Sequence, residues 1–577
     1  MKKQLQFILL SFFTGTTVLA QTPVLGGVLQ NKSGSIYSGN QGNGICLDAS
    51  GTVYVAGSYS GNVDLDPGTG TISSTTADYA SDGYIQKINA SGTLIWAKVL
   101  KSVGMYTNTS CSRIGTDANG NVYIAGIFTN TTNLAPAPAS HPATSNGYAD
   151  VFVSKLDPNG NFLWTYTFGN AQNDIVEDMV VDAAGSVYLT GPVNGTIDFD
   201  PSAAEHSITG SNDIYALKIS SSGNFEWLLS VVDAGDGYIY GISLDNANHV
   251  LISGNFNGTV DFDPSPTQTY TLTRSGGATG FILVLDKNTT AFSWVYTTNE
   301  EDRINVLGVT ADSTGNIYAT GTFDTKTDFD NSTGVSYLEP ENSYADIFIL
   351  KVNPTGHFCW AKSIGGEINE EYANIVFDPY DQSINIAGTQ RYSMDCDPGP
   401  AVANTLFYGS GDIYMVKLDT AGVYKWSTSI GGSSNETVYD HTVYQSKIYA
   451  TGYFEGTVDF DPSPTVTNNL SVNGGNGNTY IVNVINGVVT EISESASSAA
   501  MSAYPNPNQG RVTIQTTEEM NNASLKLITL AGEVVMQQEQ LNGTLFTVDL
   551  MTQKNGIYIL ELHQHNTVSK IKLVKVQ

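Results

Sequence analysis

The chain has 577 residues, with 25 Lys and Arg against 55 Asp and Glu, and carries a formal net charge of −30 although only 14% of its positions are charged. That shortage of basic side chains excludes general binding to nucleic acid, which needs a basic footprint on the phosphates, and disfavours docking on an anionic membrane. Hydrophobic residues make up 41% and aromatics 10%, with 58 Gly against 19 Pro, which describes a folded, turn-rich protein and excludes a disordered one.

Met1-Lys2-Lys3, an apolar stretch around Phe7 to Phe13 and small residues up to Ala20 predict a signal peptide over residues 1–20. No later segment approaches the roughly twenty apolar residues that span a bilayer. The mature chain is therefore expected to be secreted or held at the outer cell surface, with no transmembrane segment. Next comes TPVLGGVLQ (22–30), a strand with no hairpin partner of its own.

Self-similarity organises residues 21–487. Trp96, Trp164, Trp227, Trp294, Trp360 and Trp426 follow one another at 63 to 68 residues, and Gly57, Gly126, Gly191, Gly254, Gly321, Gly388 and Gly452 keep the same beat. Each repeat opens with an apolar run ending in Asp, often with Gly three residues on (TDANG, 116–120), a tight-turn signal. Alternating β-branched and aromatic residues follow (NVYIAG, 121–126), then a loop of about twenty residues, a third alternating run (DIYALKIS, 213–220) and a Trp-bearing run (NFLWTYTFG, 161–169). Four strands recurring seven times predict an all-β, seven-bladed β-propeller of four-stranded blades. The competing arrangement, a string of separate β domains, fails because a four-stranded sheet of about 66 residues cannot bury both faces alone. The tryptophans are then expected between adjacent blades, as structure. The seventh repeat lacks its Trp-bearing strand, and either residues 22–30 or GVVTEIS (487–493) could supply it; the first is favoured because it removes a free edge.

The long loop carries Asp-x-Asp in six repeats: Asp64 and Asp66, Asp198 and Asp200, Asp261 and Asp263, Asp328 and Asp330, Asp395 and Asp397, Asp459 and Asp461; the second repeat has NLAP (133–136) instead. Two carboxylates two residues apart on an extended segment share a face and suit a hard cation such as calcium. The same residues also suit Asx-turns, in which each carboxylate accepts backbone N–H groups, and both readings stand at this point. Cys46, Cys111, Cys359 and Cys396 have no zinc-like spacing and are expected to be mostly isolated, buried thiols, and the alternating pair His563 and His565 reads as surface decoration.

The strand pair GTVYVAG (51–57), GNVYIAG (120–126) and GNIYATG (315–321), with the later DVFVSKLD (150–157), DIYALKI (213–219) and DIFILKV (346–352), resembles the SBBP family of bacterial β-propeller repeats. The fourth repeat departs with GFILVLD (280–286), which lacks the Lys.

Residues 488–502 are small and polar and read as a linker. From 503 to 577 basic and acidic residues balance at six each, so the whole charge of −30 falls on residues 21–487, with 17 basic and 47 acidic side chains. Alternating strands separated by Asn-Gly and Ala-Gly turns predict a small Ig-like β-sandwich of about seven strands. Pro505-Asn506-Pro507 with Gly510, LAGEVV around Gly532, NGIYIL around Gly556 and Tyr558, and a basic last strand with Lys572 and Lys575 resemble the C-terminal sorting domain of the type IX (Por) secretion system. The resemblance implies passage across the outer membrane with that machinery as partner.

No nucleophile elbow, phosphate loop or recurring His context supports a catalytic residue. The reading is an exported binding protein for an extracellular protein or glycan. The alternatives are a structural scaffold of the envelope or matrix, and a polysaccharide-acting enzyme with an acidic site on the loops. Calcium is the single cofactor the pattern suggests.

Overall fold

The computed structural model describes residues 22–575 apart from 34–38, 203, 232–236, 266, 299–302, 342–343, 367–371, 464–465, 473–476, 488–500, 505–509, 530–533, 552, 554–555 and 565–566. The signal-peptide region, most of the linker, the GVVTEIS alternative, Pro505, Asn506, Pro507, Gly532 and His565 lie outside the described residues. The described chain is all-β, with no α-helix and none long and apolar enough to cross a membrane. It divides into two compact units, residues 1–487 and 488–577.

In the first unit the pairings group into four-stranded antiparallel meanders. The first runs Gly39–Leu47, Val53–Ser60, Ser81–Ile88, Leu94–Ser102, and the fifth runs Ile304–Ala311, Ile317–Phe323, Asp346–Val352, Phe358–Gly366. The last consists of Glu436–Tyr444, Lys447–Phe454 and Asn478–Gly487, and its fourth strand is Thr22–Gln30, paired from Thr22 opposite Gly487 to Gln30 opposite Tyr480. This is the partner favoured from sequence.

The third strands are buried on both faces, as along Asp346–Val352, because apolar side chains of each meander meet those of the next. Tyr54, Ala56 and Ile85 pack with Ile114 and Val122 of the second repeat; Tyr123 and Val153 pack with Leu189 and Leu217 of the third. The series continues through the fourth to seventh repeats, and Tyr449 and Ile481 of the seventh share a core with Ile45, Val53 and Val55 of the first. The first strands of successive repeats also neighbour one another, Glu436–Tyr444 returning to Gly39–Leu47.

The glycine beat has a steric cause. A Cβ on Gly321 would overlap the Asn305 carbonyl and the Phe348 ring, and Gly57, Gly126, Gly254 and Gly452 are crowded in the same way by a first-strand carbonyl and a third-strand aromatic ring. At each of these five the pairing with the first strand shifts register, so the glycine marks a bulge under a ring.

The second unit has five strands among its described residues, fewer than the seven or so expected. Arg511–Thr529 and Val534–Asp549 are long and shift register repeatedly against each other. One bent ribbon thus does the work of two: its first part pairs 511–515 with 545–549, and its second part, Ser524–Thr529, also pairs with Gly556–Gln564. Val512, Ile514, Leu525, Leu527, Phe546 and Leu560 form its core.

Candidate functional site

An antiparallel meander puts the turn after the first strand and the turn after the third at one end, and the entries to the first and third strands at the other. The two ends have different chemistry.

At the turn end, Asp117 Oδ1 accepts the N–H groups of Asn119 and Asn121 at 2.9 and 3.0 Å, and its Oδ2 accepts Tyr123 Oη at 3.0 Å. Burial opposes ionisation there, but these hydrogen bonds outweigh it and hold the carboxyl below its usual range. Asp48, Asp182 and Asp312 close their turns in the same way. The lysine of the third strand and the tryptophan of the fourth face each other and reach into the following repeat. Pro158 O accepts Lys87 Nζ at 2.9 Å and Trp96 Nε1 at 3.2 Å, and Ser221 O accepts Lys155 Nζ at 2.9 Å and Trp164 Nε1 at 3.2 Å. Lys87 and Lys155 also lie over the Tyr54 and Tyr123 rings. In the fourth repeat Val284 faces Trp294, which donates to Pro354 O at 3.1 Å. Trp426 is buried, whereas Trp96, Trp164, Trp227, Trp294 and Trp360 are half-buried. Trp96, Trp164, Trp227 and Trp294 are therefore inter-repeat clasps at the edges of their cores, and of the six tryptophans only Trp426 lies fully inside.

At the opposite end the long loops are hairpin flaps, because the second strand runs on and pairs with an early start of the third, as Asp198 opposite Ser207 and Asp261 opposite Thr271. The Asp-x-Asp pairs sit at the flap bends. Asp328 Oδ1 accepts the N–H of Asp330 at 3.0 Å and of Ser336 at 2.8 Å, and Asp330 Oδ1 accepts that of Ser332 at 2.9 Å. The remaining five pairs repeat this: Asp64 and Asp66, Asp198 and Asp200, Asp261 and Asp263, Asp395 and Asp397, Asp459 and Asp461. In the second repeat Asn133 Oδ1 takes the same place, accepting from Ala135 and His141. The residue after the first acceptor, Asp or Asn133, is a buried plug in every repeat: Leu65, Leu134, Phe199, Phe262, Phe329, Cys396 and Phe460. Among the described residues no group of three or more His, Cys, Asp or Glu gathers as a metal cage.

A natural asparagine in the first-aspartate position shows that an acceptor oxygen suffices there. Asp328→Asn is expected to change stability by no more than about 0.5 kcal/mol, whereas Asp328→Ala, which leaves two N–H groups without their acceptor, should cost about 1–3 kcal/mol. Urea unfolding of the two variants checks this. Equal losses would mean that the charge itself is needed.

The flap end also carries an aromatic rim invisible in the sequence. Tyr79, Tyr106, Tyr344 and Tyr408 from loops, Tyr148 within the strand Pro142–Leu156 and Tyr238 at the start of Tyr238–Leu244 are exposed, and Tyr79 stacks on Tyr106 with centroids 5.3 Å apart. Exposed rings with polar tips are the side chains that recognition surfaces favour.

Arg113 is the one Lys or Arg on the first strands. Its Nε donates to Asp178 Oδ1 at 3.1 Å, and Asp178 Oδ2 accepts Ile242 N of the next repeat at 2.9 Å. Asp440 Oδ2 accepts Ile45 N at 2.9 Å, tying the seventh repeat to the first. Burial pushes the Asp440 carboxyl up to about 7, with Arg113 pulling against it, and burial lowers the neighbouring His441 to about 4. These acids act as ties between repeats.

The four cysteines form no disulfide: Cys111 and Cys396 are buried, Cys46 half-buried and Cys359 exposed, so only two of the thiols are fully inside. His563 pairs with Glu561 at 3.0 Å. In the tail, Gly510 precedes the ribbon with φ of +120° and its carbonyl accepts Leu550 N at 2.6 Å. Gly556 opens the strand that buries Tyr558, Lys572 pairs with Ile559, and Lys575 Nζ donates to the carbonyls of Met551, at 3.2 Å, and Gln553.

Comparison with known proteins adds the following. Uncharacterized WD repeat-containing protein L264 of Acanthamoeba polyphaga mimivirus is 21% identical over 459 residues, covering 64% of this chain and 32% of the viral protein. Regulatory protein FlaEY of Caulobacter vibrioides is 26% identical over 180 residues, 30% of this chain and 18% of that protein. The chain thus spans less than a third of the length of these curated relatives. Among solved structures, a copper-bound fungal alcohol oxidase of the AA5 family aligns over 96% of this chain and 100% of its own at 14% identity and a TM-score of 0.34. A europium-containing methanol dehydrogenase aligns over 80% of this chain and 93% of its own at 11% identity and the same TM-score. Residues 502–576 match the family described as secretion system C-terminal sorting domain. The tail is therefore a sorting domain of the type IX system and indicates export to the cell surface or into the medium.

Proposed function

We propose that this protein is an exported recognition module: a seven-bladed β-propeller over residues 21–487, led across the inner membrane by a signal peptide at 1–20 and joined by a linker at 488–502 to an Ig-like sorting sandwich at 503–577. The observation that carries export is the sorting-domain match over 502–576. The propeller reading is supported by the shared core between the last repeat and the first, by the pairing of Thr22–Gln30 with Asn478–Gly487, and by the WD repeats named in the viral relative. The repeat type is the SBBP kind, on the strand motifs alone.

The ligand is an extracellular protein or glycan, met at the flap end by the tyrosine rim. The charge of −30, all of it on the repeats, selects for basic partners. The secreted protein, screened on a glycan array and in pull-downs at low and high salt, is expected to bind saturably, with protein partners released by salt. Silence in both screens would favour a structural scaffold instead.

A further inference from the structure

At the entry to the third strand the first, second, third, fifth and sixth repeats place a buried aspartate: Asp82, Asp150, Asp213, Asp346 and Asp412. What faces it across the ladder differs. One residue past the Gly83 and Leu100 pair stands Lys101, whose ammonium meets Asp82 Oδ2 at 2.7 Å while Ser102 N serves Oδ1 at 2.8 Å. At the same place past Val151 and Phe168, Ile347 and Ile364, and Ile413 and Ile430 stand Gly169, Gly365 and Gly431, where any Cβ would overlap the aspartate's Oδ1.

The second neighbour changes in step. Gly411 bridges Asn435 as Ser81 bridges Asn108, so Glu436 stands in the later repeat where Thr109 stands in the first. Asp174 holds the matching place beside Asp150: Asp174 N donates to Ala149 O, as Glu436 N donates to Gly411 O, each at 2.8 Å. Both acids follow their aspartate by 24 residues, and Glu370 follows Asp346 by the same interval, outside the described residues. Lys with Thr in the first repeat is thus exchanged for Gly with a second acid in the second and sixth.

That exchange leaves each pair short of a positive charge. Asp150 and Asp174 are each 2% exposed, and Asp412 and Glu436 are 0% exposed. One oxygen of each takes a backbone N–H, from Asn146, Asn170, Tyr408 and Gly432 respectively. The other oxygen, Oδ1 of the aspartates and Oε1 of Glu436, has no hydrogen-bond partner. Two buried carboxylates with bare oxygens and no compensating ammonium are costly, and the remedy is a cation.

We propose that the Asp150–Asp174 and Asp412–Glu436 pairs each bind one calcium ion in the place that the Lys101 ammonium takes beside Asp82. Two carboxylates neutralise the ion, oxygen-only donors suit a hard cation, and the facing glycine lets the aspartate's bare oxygen lie where a side chain would otherwise stand. Sites of this kind on extracellular modules fill at roughly 10⁻⁴–10⁻³ M calcium.

The full-length secreted protein, stripped with chelator and titrated with CaCl₂, is expected to bind saturably and to melt several degrees higher with the ion. Asp174→Asn and Glu436→Gln should each remove one equivalent, while Asp328→Asn at a flap bend removes none. Because Glu436→Gln could simply unfold the sheet, Gly431→Lys with Glu436→Thr copies the first repeat. That variant is expected to fold and to lose one calcium equivalent without losing the stability that calcium confers at that site. Unchanged stoichiometry in these variants would overturn the proposal. So would a melting temperature that ignores millimolar calcium but falls as the pH rises through the raised carboxyl values of about 6 and 8, the mark of pairs held by a shared proton alone.

Discussion

Deleting Thr22–Gln30 is expected to be the most damaging small change to the first unit. The strand contributes eight paired residues along Asn478–Gly487, with a register shift at Gly26, and its Leu25 and Val28 pack against the core built on Val482 and Val484, while Leu29 joins the core shared by the first and last repeats. The residue after it, Asn31, exchanges side-chain hydrogen bonds with Gln86 of the first repeat and donates its N–H to Thr479 O of the last, so the segment also links the two repeats that meet there. Three half-buried aliphatic side chains and the exposed edge together should cost about 5 kcal/mol, which is comparable with the whole stability of many domains. For a unit of this size that corresponds to a fall in melting temperature of roughly 5 °C, or to insoluble expression through the open edge. Calorimetry of the truncated chain decides it, and an unchanged transition would show that the strand merely decorates the sheet.

Deleting residues 503–577 should have a different outcome, abolishing export while sparing the fold. The sorting match lies wholly in the second compact unit, and the first unit's cores draw on no residue beyond 487. In a host with type IX secretion the shortened protein is expected to collect in the periplasm, folded and with the melting behaviour of the parent repeats. Its appearance on the cell surface or in the medium at parental levels would contradict the role of the tail.

How much of this could be read from the residues depended on whether a feature keeps a fixed beat. The Trp and Gly series recur every 63 to 69 residues because each fills one place in a repeating sheet, so the strands and their partners were legible. The Asp-x-Asp spacing was equally visible and suited both calcium and Asx-turns; choosing between them needed the flap hairpins that bring N–H groups eight or nine residues on to the first carboxylate, and Asn133 hides its equivalence behind a different side chain. The lysine in the third strand was seen as a motif letter, while its reach to a carbonyl of the next repeat needed the stacking of the sheets. Tyr79, Tyr148, Tyr344 and Tyr408 keep the beat loosely, two to four residues before the recurring aspartates, but their exposure depends on how the loops and flaps fold and was not legible. The buried acid pairs join residues 24 apart through a single backbone hydrogen bond, Asp174 N to Ala149 O and Glu436 N to Gly411 O, a contact that strand periodicity does not report. In the tail, alternation suggested about seven strands because a ribbon bent at register shifts reads in sequence as separate strands.

The recognition role and the placing of its rim both depend on the repeats forming one closed ring. Particle images of the secreted protein, with small-angle scattering from residues 21–487, test that most directly. The expected result is a seven-lobed disc around a central axis with a radius of gyration of about 23 Å for a compact unit of this length. An elongated row of separate lobes, with a radius of gyration about twice that value or more, would contradict it.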